Sequence, residues 1–137
     1  MPLVRISLLK GKPPAHVRAI ADNIHRALVE SFDTPANDRF QLVSQHEREE
    51  MIYDADYLGI HRTDDVVFIN IVASRTRSTA KKVAFYKRLA ELLAENPGLR
   101  PEDVQVIISP NEREDWSFGK GLASYVKPSA PAPDERA

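Results

Sequence analysis

Hydrophobic residues recur with two spacings along the chain, one typical of strands and one typical of helices. The order of these spacings predicts the order of the strands and helices. Residues 2–9 are mostly aliphatic and end at the turn formers Lys10–Pro14, which predicts a strand starting at residue 2. Apolar residues then recur every three or four positions from Ala15 to Phe32, the spacing of an amphipathic helix. Strand-like alternation resumes over residues 38–45. The chain therefore begins with a predicted β-α-β unit.

The same order of periods recurs after a polar loop. The nearly continuous hydrophobic run Asp65–Ala73 predicts a central strand covered on both faces. A helix capped by Ser78 or Thr79 is predicted to follow, and residues 104–109 form a strand parallel to the preceding one. The expected buried stripe of this helix comprises Val83, Tyr86, Leu89, Ala90 and Leu93. The chain is thus predicted to contain a second β-α-β unit.

The duplicated pattern predicts an α/β (α+β) fold with a four-stranded mixed sheet. Right-handed crossovers place both helices on one face of that sheet. The opposite face stays uncovered in one chain, so we expect other copies of the chain to bury it. Residues 1–126 are expected to form a single domain, and the proline-, alanine- and charge-rich residues 127–137 a flexible tail.

Composition narrows the class of protein without indicating its chemistry. The 137 residues are 42% hydrophobic and 28% charged, as in an ordinary soluble globular protein. A net charge of -1 argues against nucleic acid as a partner, and no apolar run is long enough to span a membrane. The absence of cysteine excludes disulfides and thiolate chemistry and fits a cytoplasmic location.

Pro2 is the first residue that could carry chemistry. Removal of Met1 would leave a secondary amine held rigidly at the start of the first strand. A free α-amino group titrates near pH ~7.7–8.0, so this amine could act as a general base or as a charged acid. Proline is also common at the beginning of strands, so Pro2 alone is weak evidence.

Arg75 and Arg77 lie where the central strand ends and the second helix begins. Isolated surface arginines are usually solvated. Positive charge is unfavourable at this end of a helix, however, because the helix dipole already makes it positive. The two arginines beside free helix amides therefore predict a binding site for a carboxylate.

Two further segments carry candidate residues. Asp38 opens the second strand, and parallel pairing with the first strand would bring its carboxylate next to the start of the chain. The single tryptophan, Trp116, lies in the segment 115–119, which could line a site or simply cover the core. The four histidines lack the spacing of metal ligands, so no metal is expected.

These elements together resemble the malonate semialdehyde decarboxylase family of the tautomerase superfamily. The resemblance rests on Pro2, the Asn37–Gln41 segment followed by Gln45 and His46, the Arg75-x-Arg77 pair and the Asp115–Gly119 segment. It spans nearly the whole chain as far as Val126. It implies a β-α-β tautomerase fold, a homotrimer, no cofactor and a small carboxylate substrate.

The resemblance also implies roles for individual residues. The implied catalytic residues are Pro2, Asp38, Arg75 and Arg77. The implied substrate-binding residues are Arg75, Arg77, Trp116, Phe118 and Tyr125. Three features depart from the family: Tyr125 replaces a phenylalanine, Thr76 replaces a proline, and the loop over residues 46–65 is longer. These departures leave the substrate open.

The implied reaction is the cofactor-free loss of carbon dioxide from a 3-oxo acid such as malonate semialdehyde. The two arginines would bind the carboxylate, and Asp38 would raise the pKa of the Pro2 amine. Pro2 would stabilise the enolate by a hydrogen bond or form an iminium.

Three alternatives stay open. A keto–enol tautomerase of 2-oxo acids, such as phenylpyruvate, would use neutral Pro2. A hydratase or dehalogenase of unsaturated acids would activate water with Asp38 or Glu114. A non-catalytic trimeric binding or signalling protein, as in the macrophage migration inhibitory factor branch, could share the fold.

Overall fold

A computed structural model describes residues 1–127, which contain one four-stranded sheet and two long helices. The strands are β1 (Leu3–Leu9), β2 (Phe40–His46), β3 (Val67–Ser74) and β4 (Val104–Asn111), and the helices are α1 (Pro14–Ser31) and α2 (Thr79–Glu95). The strand order is β2-β1-β3-β4. The two outer pairs are parallel and the central β1–β3 pair is antiparallel. The predicted mixed sheet and duplicated β-α-β order are confirmed, whereas the predicted tail lies outside the described residues except for Lys127.

The helices begin where their sequence signals predict. Pro14 occupies the first turn of α1, where a missing backbone N–H costs nothing. The Ser78 hydroxyl caps α2 by accepting a hydrogen bond from the backbone N–H of Lys81 at 3.2 Å. None of the helices within residues 1–127 is long and apolar enough to cross a lipid bilayer.

The buried stripe predicted for α2 is partly wrong. Leu89 and Leu93 are buried as expected, but Val83 is 60% exposed and Tyr86 is 40% exposed. The helix instead buries Phe85, whose ring centroid lies 5.2 Å from that of Phe32 on the loop after α1. Helical periodicity permits either stripe, and burying the larger phenylalanine ring removes more apolar surface from water.

The two faces of the sheet differ in burial. On one face, the side chains of β1 and β3 pack against both helices and are almost completely buried: Val4, Ile6, Leu8, Val67, Ile69 and Ile71. The other face, which we call the open face, carries the exposed apolar residues Phe40, Leu42 and Ile107. One chain therefore covers only one side of β3, and the prediction that both sides are covered does not hold for a single copy.

The long loop between β2 and β3 is held to the sheet by a buried acid. Asp103, just before β4, is fully buried, and its carboxylate accepts hydrogen bonds from the backbone N–H and hydroxyl of Thr63, each at 2.6 Å. A small apolar cluster of Leu9, Met51 and Val66 anchors the rest of the loop. The entry into β3 is therefore fixed.

Candidate active site

The start of β1 lies beside the residues that precede β2. Because these strands are parallel and Leu3 pairs with Phe40, the segments before them emerge at the same end of the sheet. The Asp38 carboxylate forms an ion pair with the amino group of Met1, and both side chains are more than four-fifths buried, at 15% and 18% exposure. Pro2 is buried directly behind this pair. The expected proximity of Asp38 to the start of the chain is thus confirmed.

Opposing effects act on the amine at this position. Burial lowers the pKa of the Met1 amino group below its ordinary value, and the positive charge of Arg77 acts in the same direction. The hydrogen bond and negative charge of Asp38 raise that pKa and partly offset the burial. After loss of Met1, the Pro2 nitrogen becomes the terminal amine at this end of β1. The balance between burial, Arg77 and Asp38 therefore decides what fraction of a terminal amine is charged at this position.

Arg77 is a cation near this amine, close enough for its charge to lower the pKa of the amine. The antiparallel pairing of Leu3 with Val72 brings the end of β3 next to the start of β1. Arg77 is half-buried; its Nε donates to the carbonyl oxygen of Phe32 at 3.0 Å, and its Nη1 donates to the Ser74 hydroxyl at 3.2 Å. Its guanidinium also lies 4.7 Å from the centroid of the Phe32 ring. Burial lowers the pKa of Arg77, but a guanidinium stays charged at any ordinary pH.

Arg75 is placed differently from Arg77. Its side chain is 61% exposed, and its Nε donates to Glu112 Oε1 at 2.9 Å. The anion expected at the beginning of α2 is therefore a carboxylate of the chain itself. This contact uses the Nε donor of Arg75, and its terminal guanidinium nitrogens remain available to a second acceptor.

Aromatic side chains form one wall of the site. Trp116 and Phe118 stack with their ring centroids 5.3 Å apart, and Phe118 also contacts Phe40 at 5.7 Å and Tyr125 at 5.3 Å. We call these four residues the aromatic wall. A hydrogen bond of 2.8 Å from Trp116 Nε1 to Asn111 Oδ1 orients the indole. Sequence reasoning missed Phe40, although its position two residues after Asp38 was the available signal.

Tyr125 and Arg113 complete the described surroundings of the amine. The Tyr125 hydroxyl donates a hydrogen bond to the sulfur of Met1. The guanidinium of Arg113 lies 5.0 Å from the centroid of the tyrosine ring, in a cation–π contact. Burial raises the pKa of Tyr125, as does the charge of Asp38. Sequence reasoning missed Arg113. The available signal was a single basic residue among acidic residues just before the aromatic segment.

Other features of the described chain do not join this site. Glu114, one candidate for activating water, is exposed. Within residues 1–127, no group of three or more histidine or acidic side chains is placed to hold a metal ion. A groove of about 680 Å³ lies between α1 and β2, and its arginine Arg39 is already paired with Asp22. The chemistry is therefore concentrated at the start of β1.

Comparison with protein families matches this chain to known proteins. A family model described as tautomerase enzyme matches residues 38–119, and a second with the same description matches residues 2–60. Probable tautomerase YusQ of Bacillus subtilis (strain 168) is 35% identical over 127 residues, covering 93% of this chain and 100% of that protein. Probable tautomerase YrdN of the same organism is 38% identical over 126 residues, covering 92% of this chain and 97% of that protein.

Solved structures also match this chain over most of its length. Malonate semialdehyde decarboxylase, described with decarboxylase and hydratase activities, is 41% identical with a TM-score of 0.84, covering 90% of this chain and 95% of that one. The FG41 malonate semialdehyde decarboxylase inhibited by 3-bromopropiolate is 37% identical with a TM-score of 0.84, covering 90% and 93%. A fused 4-OT symmetric trimer, 20% identical with a TM-score of 0.73 and coverage of 90% and 97%, shares the fold.

Proposed function

Because the chain belongs to the tautomerase superfamily and to its malonate semialdehyde decarboxylase-like members, we propose that it decarboxylates a small 3-oxo acid. Malonate semialdehyde is the proposed substrate, and acetaldehyde and carbon dioxide are the products. The observation that carries the proposal is a chain-terminal amine that pairs with Asp38, lies within the electrostatic influence of Arg77 and belongs to a residue in contact with the aromatic wall. No cofactor is needed in this scheme.

Binding begins at the end of β3. Arg77 offers a cation that is already held in place by the carbonyl oxygen of Phe32 and the hydroxyl of Ser74, so little side-chain entropy is lost when it binds the substrate carboxylate. Arg75 would add its terminal guanidinium nitrogens while its Nε stays on Glu112. The aromatic wall offers an apolar surface beside these charges, which strengthens their interaction with the substrate where it displaces water.

The chemical step uses the charged form of Pro2. Its ammonium donates a hydrogen bond to the substrate carbonyl oxygen while the bond between the carboxylate carbon and the adjacent carbon breaks. The electrons of the broken bond form a double bond between the adjacent carbon and the carbonyl carbon, and the carbonyl π electrons move to the oxygen. The products are an enolate and carbon dioxide. The enolate carbon then takes a proton from solvent water, which gives acetaldehyde and hydroxide, and bicarbonate formation from carbon dioxide consumes that hydroxide. Asp38 pairs with the Met1 amino group in the described chain, and next to the processed terminus its negative charge would favour the charged form of Pro2.

Assembly and location complete the proposal. We propose a homotrimer, because the open face carries Phe40, Leu42 and Ile107 at 48%, 53% and 61% exposure in a single copy. A cytoplasmic location fits a chain without cysteine. Light scattering of the purified protein tests the trimer, and a single monomeric species would contradict it.

Keto–enol tautomerisation of a 2-oxo acid is the second candidate function. Burial lowers the pKa of the amine, which favours the neutral form that a tautomerase requires. The names of the two Bacillus relatives support the same activity. The two functions therefore differ in the charge of Pro2 at working pH.

The test is a comparison of two substrates with enzyme of verified mass. Intact-mass measurement should show loss of Met1, and kcat/KM for malonate semialdehyde should exceed that for ketonisation of phenylenolpyruvate. Arg75→Ala should lower kcat/KM for malonate semialdehyde about 30-fold, since a charged hydrogen-bond partner is lost. Arg48→Ala is the matched control, because Arg48 is a similarly exposed arginine paired with one acid, Asp64, and should be neutral.

Two outcomes would contradict the proposal. Faster ketonisation than decarboxylation would transfer the function to the tautomerase candidate. Equal kinetics for Arg75→Ala and Arg48→Ala would remove Arg75 from the carboxylate site.

A further inference from the structure

The Tyr125 hydroxyl is directed at the side chain of the residue that processing removes. It donates a hydrogen bond to the sulfur of Met1, while the amino group of the same methionine pairs with Asp38. Thioether sulfur is a weak acceptor. Loss of Met1 would therefore remove both contacts and leave the hydroxyl of the partly exposed Tyr125 without this partner, next to the new amino terminus.

Two contacts hold the tyrosine ring in this direction. The ring meets Phe118 edge-on with centroids 5.3 Å apart, and the Arg113 guanidinium lies 5.0 Å from its centroid. Of the four residues of the wall, only Tyr125 and Trp116 carry a hydrogen-bonding group, because Phe40 and Phe118 have none. Burial and the charge of Asp38 raise the pKa of Tyr125, so the phenol keeps its proton near neutral pH and is available as a hydrogen-bond donor.

We propose that, after Met1 is removed, the Tyr125 hydroxyl donates a hydrogen bond to the carbonyl oxygen of the substrate, opposite the Pro2 ammonium. This inference rests on the proposed function and adds a second donor to it. The oxygen gains negative charge as the enolate forms, so two donors stabilise the transition state more than the ground state. Arg113 is a positioning residue that keeps the ring in place.

The direct test is Tyr125→Phe in the processed enzyme. The variant keeps the ring and its contacts with Phe118 and Arg113, and loses the hydroxyl alone. The value of kcat for decarboxylation of malonate semialdehyde should fall about 10-fold to 100-fold while KM changes little, since the lost interaction belongs to the transition state. Tyr57→Phe, at an exposed tyrosine of the β2–β3 loop, is the matched control and should leave kcat unchanged.

A second readout separates the hydroxyl from general damage to the site. 3-Bromopropiolate carries a carboxylate but no aldehyde or keto oxygen, so its rate of inactivating the enzyme should be the same in Tyr125→Phe and in the wild type. Unchanged kcat in Tyr125→Phe would overturn the inference. An equal fall in decarboxylation and in inactivation would also overturn it, because the hydroxyl would then serve the site as a whole.

Arg113 tests the positioning role. Arg113→Leu should lower kcat several-fold, and Arg113→Lys should restore most of it, because a lysine can also lie over the ring. Equal loss in both variants would contradict the role. If the wild type decarboxylates no 3-oxo acid, the proposed function fails, and Tyr125→Phe is then judged by ketonisation of phenylenolpyruvate, where an unchanged kcat would overturn the inference separately.

Discussion

The two β-α-β units place an acid at the same topological position, and the two acids have different partners. Asp38 precedes β2 and lies beside the start of β1, whereas Asp103 precedes β4 and lies beside the entry into β3. Asp103 accepts two hydrogen bonds from Thr63, both from neutral groups. Asp38 pairs with a terminal amine, which can gain or lose a proton.

Under the proposed function, the reactivity at Asp38 would come from its partner and its neighbours, rather than from the carboxylate itself. Because β1 and β3 are antiparallel, the two acids lie at opposite ends of the sheet. The segments that follow β3 and β4 both emerge at the end that holds Asp38, and they bring Arg77 and the aromatic wall there. Asp103 instead has Arg100, whose Nη1 lies 3.8 Å from its carboxylate, and the bonds to Thr63, so we assign it to the fold.

Blocking the terminal amine should have the largest effect. An extension that stays attached to the amino terminus removes the amine that distinguishes Asp38 from Asp103, so turnover should fall more than about a thousandfold, as for loss of a reacting group. The measurement is kcat/KM for malonate semialdehyde. The same extension at the carboxyl terminus is the control, and comparable activity of both proteins would contradict a role for the amine.

Asp103→Ala should strongly destabilise the fold. The substitution removes a fully buried carboxylate and leaves the two Thr63 donors unsatisfied, so the free energy of unfolding should fall by about 3 kcal/mol. Chemical denaturation measures this loss. The value of kcat for the folded fraction should not change, and a variant that is stable but inactive would place Asp103 in the chemistry.

Asp38→Asn should affect the reaction more than the fold. Decarboxylation should lose about 30-fold in kcat/KM, as expected when a charged hydrogen bond is lost. Asp38 raises the pKa of the amine, so its loss lowers that pKa, and the high-pH limb of the decarboxylation profile should move to lower pH. Ketonisation of phenylenolpyruvate near neutral pH should persist, because it uses the neutral amine.

The opposite result for Asp38→Asn would be decisive. If the variant keeps decarboxylation and loses ketonisation, Asp38 does not maintain the charge of Pro2. The tautomerase candidate would then replace the proposed decarboxylase.

Thr63→Ala should have the smallest effect. It removes one of the two hydrogen bonds to Asp103 and keeps the backbone donor, so unfolding should become easier by about 1 kcal/mol. Thr63→Ser keeps the hydroxyl and should recover most of the loss in thermal denaturation. Equal destabilisation by alanine and serine would show that the methyl group, rather than the hydroxyl, matters.

Local sequence pattern predicted the elements, because strand and helix periods differ and the turn formers separate them. The position of Asp38 followed from parallel pairing of the first two strands, which fixes where their preceding segments meet. The pairing of Arg75 with Glu112 was not predictable, since partners 37 residues apart leave no local pattern.

The remaining errors have the same origin in tertiary packing. Two apolar stripes of α2 satisfy the helical period, and only its contact with Phe32 selects the one that contains Phe85. Whether both sides of β3 are covered depends on what packs on the open face. A hydrophobic run in the sequence does not specify that partner. Phe40 and Arg113 enter the site through contacts with residues far along the chain.

The antiparallel contact between β1 and β3 also sets how many reactive ends one sheet can carry. A chain with a single β-α-β unit would complete the same sheet by pairing with a second copy, and each copy would bring its own terminus. In the present chain the residues after β2 continue through Thr63 into β3, so the second unit begins inside the polypeptide. Under the proposed function, joining the units would therefore leave one reactive amine per sheet instead of two and free the other end of the sheet from catalytic constraint.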